Sequence, residues 1–154
     1  MGLFSFIKGV GEKIFTKKEK EATTPSVENH ELKASELLDH VKRLGLSYDV
    51  LSIKLRGDDV VLEGSVTSQS DSEKIVLAVG NVDGVDTVDN QMTVAELAPE
   101  STFHTVVKGD TLSKISKMYY EDANKYNAIF EANKPMLKDV NKIYPGQVLR
   151  IPEL

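Results

Sequence analysis

Apolar residues recur along the chain with two different periods, and the changes of period divide it into elements. Leu3, Ile7, Val10 and Ile14 stand four, three and four residues apart, the stripe of a short helix with Phe6 beside it. Gly9 and Gly11 interrupt that stripe. Each glycine costs about 1 kcal/mol against Ala in a helix interior, so the helix is expected to end or open there. The stretch 17–24 mixes Lys, Glu and Thr and reads as a solvated tether. Thr24-Pro25 reads as a helix N-cap with its first residue. Ala34, Leu37, Leu38, Val41 and Leu44 then keep helical spacing until Gly45 stops them.

The period next falls to two. Leu51, Ile53 and Leu55 alternate with polar residues, Gly57-Asp58-Asp59 turns, and Val60, Leu62, Gly64 and Val66 alternate again. That is a hairpin of half-buried strands. Ser70-Asp71-Ser72-Glu73 has the spacing of a capping box and predicts a helix over 74–79, apolar at Ile75, Val76, Leu77 and Val79. Val88, Met92 and Val94 mark a third strand.

Between that helix and that strand lies the stretch Val79-Gly80-Asn81-Val82-Asp83-Gly84-Val85-Asp86. A helix ending here leaves main-chain carbonyls unpaired, and glycine tolerates backbone angles that turn carbonyls toward one point. The local sequence fits an ordinary helix C-cap and turn. It also fits part of a carbonyl cage, which a weakly hydrated monovalent cation accepts in place of its water shell.

Residues 95–101, Ala-Glu-Leu-Ala-Pro-Glu-Ser, read as a linker. A strand pattern at 103–107 follows, then a turn at Lys108-Gly109 and a helix capped by Asp110 with Leu112, Ile115, Ser116 and Tyr119 on one face. A second helix carries Tyr126, Ile129, Phe130 and Asn133, a turn falls at Tyr144-Pro145-Gly146-Gln147, and a last strand runs over 148–151. The fold class predicted is α+β in two small domains. The first is an N-terminal helix followed by α-β-β-α-β, and the second is β-α-α-β.

Composition removes several classes of function. With 40% hydrophobic and 28% charged residues the chain is a folded protein rather than a disordered one. A net charge of -5 with both signs interspersed argues against nucleic acid as a partner. There is no cysteine, and His30, His40 and His104 have no zinc-site spacing. The apolar start is too short for a signal peptide or a membrane span, and Phe6 stands where a myristoylation pattern needs Ser or Thr. A cytoplasmic monomer is therefore expected. No nucleophile constellation, GxGxxG or P-loop spacing occurs, and no enzyme is expected. Asp83, Asp86 and Asp89 recur every third residue, and Asp58-Asp59 lie in a turn. Calcium prefers carboxylates, but this is not EF-hand spacing, and a period of three along a strand scatters side chains over both faces.

The second unit strongly resembles a LysM domain, through Thr105-Val106-Val107-Lys108-Gly109-Asp110-Thr111-Leu112 at the front and Ile143-Tyr144-Pro145-Gly146-Gln147-Val148-Leu149-Arg150-Ile151-Pro152 at the back. The first resembles a BON domain, through Val60-Val61-Leu62-Glu63-Gly64-Ser65-Val66 and Gly84-Val85-Asp86-Thr87-Val88-Asp89-Asn90-Gln91-Met92. The whole chain is similar to small bacterial cytoplasmic potassium-binding proteins of the BON–LysM type. The Met1-Gly2-Leu3-Phe4 start, Gly11-Glu12-Lys13, Val79-Gly80-Asn81 and the run Phe130-Glu131-Ala132-Asn133-Lys134-Pro135-Met136-Leu137 carry that likeness.

The expected units are an N-terminal segment at 1–22, BON at 23–95, a linker at 96–101 and LysM at 102–154. The resemblance implies a potassium sensor whose BON and LysM domains dock when K+ is bound; composition and periodicity do not imply it. On that reading the carbonyls of Ile7, Val10 and Glu12 on one side, and of Gly80, Val82 and Val85 on the other, hold the ion. Replacing Gly80 by Val is expected to weaken binding if the backbone there needs glycine angles. The resemblance also implies an alternative ligand, a polymer of N-acetylglucosamine such as peptidoglycan. It would lie in a LysM groove formed by Gly109, Asp110, Thr111 and Leu112 and by Asn133, Ile143, Tyr144, Pro145, Gly146 and Gln147. A chain without an export signal meets little cell-wall glycan, which leaves its LysM free to serve as an intramolecular partner.

Overall fold

The computed structural model describes residues 2–6 and 33–154. The mixed α+β class in two units is as the periodicity predicts. The first unit has a four-stranded sheet in the order β1-β4-β3-β2, made of β1 (Gly2–Ser5), β2 (Val50–Arg56), β3 (Asp59–Ser68) and β4 (Thr87–Glu96). Strands β2 and β3 form the antiparallel hairpin. Strands β3 and β4 run parallel, Val60 opposite Val88, so a crossover helix must join them. That helix is α2 (Gln69–Gly80). The preceding helix, α1 (Ala34–Leu44), ends at Gly45, whose left-handed φ of 75° lets its N–H reach the carbonyl of Lys42.

The second unit runs β5 (Thr102–Thr105), α3 (Leu112–Tyr120), a short 3-10 turn, α4 (Tyr126–Ala132) and β6 (Val148–Ile151). Strands β5 and β6 pair antiparallel, and α3 and α4 cover one core around Ile115, Ile129 and Leu149.

Three local expectations are corrected. Gly2–Ser5 is a strand, antiparallel to β4, and not the first turn of a helix. Phe4 and Phe6 alternate inward while Leu3 stays 69% exposed, so period two overrides the helical stripe that Leu3 opened. Ile7, Val10 and Ile14 lie outside the described residues, as do the tether and Thr24-Pro25. Helix α2 starts more than a turn before residue 74. Its N-cap is Ser68, whose hydroxyl accepts the N–H of Asp71 at 3.1 Å, and Glu73 is released from the expected capping box. Helix α3 is capped by Thr111, which accepts the N–H of Lys114, and not by Asp110.

Helix α2 is buried on nearly every side from Ile75 to Gly80. A helix apolar all round must be covered all round. The sheet covers one side and the second unit covers another. Val148 of β6 belongs to the core of the first unit, with Phe103 and Met136 packed against it. Phe4 of β1 stacks on Phe103 of β5 with ring centroids 4.8 Å apart.

Candidate functional site

The C-terminal end of α2 carries the turn that the sequence singled out. Asn81 closes the helix by donating its N–H to the carbonyl of Leu77 at 3.0 Å. Val82 donates to Val79 at 3.3 Å, and Val85 donates to Val82 at 3.2 Å. Asp86 then donates to Asp58 in the hairpin turn at 2.9 Å. Gly84 has φ 107°, a conformation that L side chains rarely adopt. Val82 and Val85 bury their side chains almost completely, which fixes the turn on the core. The carbonyls of Gly80, Val82 and Val85 thus fall within one short turn, with that of Val82 accepting the N–H of Val85.

Gly80 needs no special backbone angle; its reason is contact. A Cβ there would fall 2.0 Å from Cζ of Phe6. The Phe6 ring therefore lies flat over the helix end, and the N–H of Phe6 donates to the carbonyl of Asp86 at 2.8 Å. The chain is thus pinned beside the Gly80–Val85 turn at the residue just before Ile7. Ile7, Val10 and Glu12 themselves lie outside the described residues. Among the described residues no three His, Asp or Glu side chains converge as a metal site, so the Asp83, Asp86 and Asp89 series is not gathered.

The expected LysM groove is divided by the structure. Gly109 and Thr111 are exposed, but Leu112 is buried. Asp110 accepts the N–H of Val107 at 3.0 Å and pairs with Nε2 of His104 at 2.9 Å. His104 in turn meets the Tyr119 hydroxyl through Nδ1 at 2.9 Å. The Val107 bond first, and then His104, hold the Asp110 carboxyl below its usual pKa of 3.8 against the opposing effect of burial. At the back, Asn133 and Gln147 are buried, with Asn133 tied to Ile129 and Arg150. Ile143 packs on the LysM core, and Pro145 is exposed beside Gly146, whose N–H donates to Val106. Tyr144 and Gln147 line a cavity of about 190 Å³ together with His40, Leu77 and Asn81, so this loop faces the first unit.

Sequence reasoning missed the polar contacts between the units. Glu73 on α2 and Arg150 on β6 are 3% and 7% exposed. Nε and Nη2 of Arg150 donate to Oε1 of Glu73 at 3.0 and 2.8 Å. The other carboxylate oxygen accepts the N–H of Ser101 at 2.9 Å, and Nη1 of Arg150 donates to the carbonyl of Ala132. Beside them the Asn81 amide exchanges two 2.9 Å bonds with the main chain of Val148. One signal was available: an Arg inside the apolar strand 148–151 and a Glu at the start of an apolar helix each need a buried partner.

The fold and its seam define a class, the two-domain BON–LysM protein. The BON domain family model matches residues 34–96, and the LysM domain model matches residues 104–152. Over 154 residues the chain is 46% identical to "Potassium binding protein Kbp" of Escherichia coli O6:H1 strain CFT073, spanning 99% of both chains, and it belongs to that protein's family. It is also 33% identical over 120 residues to an uncharacterized protein of Deinococcus radiodurans strain R1, spanning 70% of this chain and 46% of the other. Among the described residues no helix is long and apolar enough to cross a membrane.

Proposed function

We propose that this protein is a cytoplasmic, monomeric, non-catalytic potassium sensor. The carbonyls of Gly80, Val82 and Val85 meet those of Ile7, Val10 and Glu12 around one K+ ion. Binding of the ion favours the seated arrangement of BON on LysM. One observation carries this reading: the Phe6 ring is seated on Gly80 and its N–H is bonded to Asp86, which holds the chain against the Gly80–Val85 turn at the residue just before Ile7. The printed name of the Escherichia coli relative supports the choice of ion. Neutral carbonyl oxygens suit a monovalent cation of low hydration energy. A divalent ion would call for carboxylates, and those of the described residues do not converge.

The glycan alternative draws less support. Of the residues assigned to the sugar groove, Tyr144 and Gln147 line the cavity toward the first unit, and Asn133 holds the core.

The test is a titration of potassium-stripped protein with potassium chloride, against sodium chloride at equal ionic strength. Amide NMR shifts report the turn, and small-angle scattering reports the docking. Saturable shifts at residues 80–85 with compaction in potassium alone are expected. Identical responses to the two salts refute the ion site, and chito-oligosaccharides then become the ligands to try. At free ion about a hundred times the dissociation constant, binding stabilises the bound state by about 2.7 kcal/mol.

A further inference from the structure

Two asparagines complete the free edge of β6, and one of them comes from the other unit. In an antiparallel pair, alternate residues of a strand direct both main-chain groups to the same side. Val106 donates to the carbonyl of Gln147, just before β6, at 2.8 Å, so 147, 149 and 151 face β5. Val148 and Arg150 therefore face away. The N–H and C=O of Arg150 are met by the Asn133 amide, both at 2.9 Å, from within the second unit. Those of Val148 are met by the Asn81 amide, both at 2.9 Å, from the first. A side-chain amide offers an acceptor and a donor side by side, as one residue of a neighbouring strand would.

Asn81 is also the first residue after α2, flanked by the peptide units of Gly80 and Val82. Peptide planes are rigid, so turning the carbonyls on either side of a residue reorients its Cα–Cβ bond. Glu73 is placed differently: it sits near the start of α2, about two turns from that end, inside a closed hydrogen-bond ladder. Its contact with Arg150 holds the units together but has no direct link to the turn.

We propose that Asn81 is the positioning residue that couples cation binding at the 80–85 turn to the seating of LysM, acting through its two bonds to Val148. The proposal rests on the potassium reading above. Binding and seating then strengthen each other by one common factor. Without Asn81 the turn still accepts the ion, but the second unit no longer responds to it.

The experiment compares the full chain with Asn81→Ala and Asn81→Asp. Asn81→Asp keeps the shape of the helix end and the acceptor for Val148 N–H, but sets a carboxylate against the Val148 carbonyl. Potassium replaces sodium at constant ionic strength while amide shifts at 82–85 and the radius of gyration are followed. In the parent, shifts and compaction share one midpoint. In Asn81→Ala the shift midpoint moves to about five- to tenfold higher potassium, the low end of typical coupling factors, and the radius of gyration stops responding. Asn81→Asp falls between the two.

Compaction of Asn81→Ala at the parent's midpoint overturns the coupling role and leaves the ion site standing. An absence of potassium-specific shifts in the parent itself overturns the ion reading, and this proposal with it. If Asn81→Ala does not fold, Asn81→Asp decides: a parent-like midpoint and compaction refute the role, and a shifted midpoint with weakened compaction supports it.

Discussion

Gly80→Ala isolates the contact on which the functional reading depends. Gly80 is helical, so alanine suits its backbone, and the three atoms nearest to a new Cβ all belong to the Phe6 ring. The new Cβ would lie 2.0, 2.2 and 2.3 Å from three ring atoms. Ordinary contact begins near 3.4 Å, so the ring must retreat by about 1.4 Å. Phe6 is only 6% exposed, and a shift of that size unseats it. Full burial of a Phe side chain is worth about 1.5–3 kcal/mol. Alanine returns up to about 1 kcal/mol of helix propensity. The net loss worked from these terms is about 0.5–2 kcal/mol, or about 1–8 °C in Tm for a chain of this size. Thermal unfolding in sodium buffer measures it, and amide shifts at 82–85 measure the loss of potassium affinity. Phe6→Leu in the Gly80→Ala background is expected to recover part of both losses, a coupling of about 1 kcal/mol. Gly80→Ala with parent stability and parent potassium affinity would refute the reasoning.

Glu73→Ala strands the Arg150 guanidinium. A broken buried pair ordinarily costs about 3–5 kcal/mol, but here separation of the units restores water to the charge, so the cost cannot exceed the free energy of docking. Scattering is expected to show an extended particle while circular dichroism keeps both units folded; a compact Glu73→Ala refutes this. Asp110 supplies a pH dependence. Its folded pKa lies below its unfolded value, so its stabilisation is complete well above pH 3.8 and fades as pH falls through the folded value. Asp110→Asn is expected to flatten that part of the acid limb in urea unfolding between pH 5 and pH 2, and an unchanged limb refutes the assignment.

The elements with long, unbroken periods were legible in the sequence. Helix α1 with its Gly45 stop, the β2–β3 hairpin and β4 stand where alternation and turn chemistry put them. Short signals were not. A strand of four residues offers only two inward positions, and a helical stripe begun by Leu3 competed with them. Ser68 and Ser70 both fit an N-cap, and the run of β3 straight into α2 selected the earlier one. Asp110 was read as the cap of α3, but the Val107 N–H and His104, six residues away, engage its carboxylate, and Thr111 caps the helix instead. Glu73 and Arg150 are 77 residues apart, and nothing local ties one to the other. Gly80 was legible as necessary, but for the wrong reason: the cause is the ring of Phe6 and not a backbone angle.

The charges of the two domains decide how a salt titration must be read. Residues 34–96 hold twelve acidic and five basic side chains, and residues 104–152 hold eight basic and five acidic ones. The domains therefore attract one another at long range. At 0.1–0.15 M salt the screening length is about 8–10 Å, so added salt of any kind weakens this attraction and favours separation. The buried Glu73–Arg150 pair escapes most of that screening, but the exposed charges do not. Ionic strength alone thus pushes the domains apart. Compaction under potassium chloride has the opposite sign and must come from an ion that binds the seated state better than the open one. The Gly80–Val85 turn is where such a preference can arise, because it holds Asn81, whose side chain is bonded to the LysM backbone at Val148.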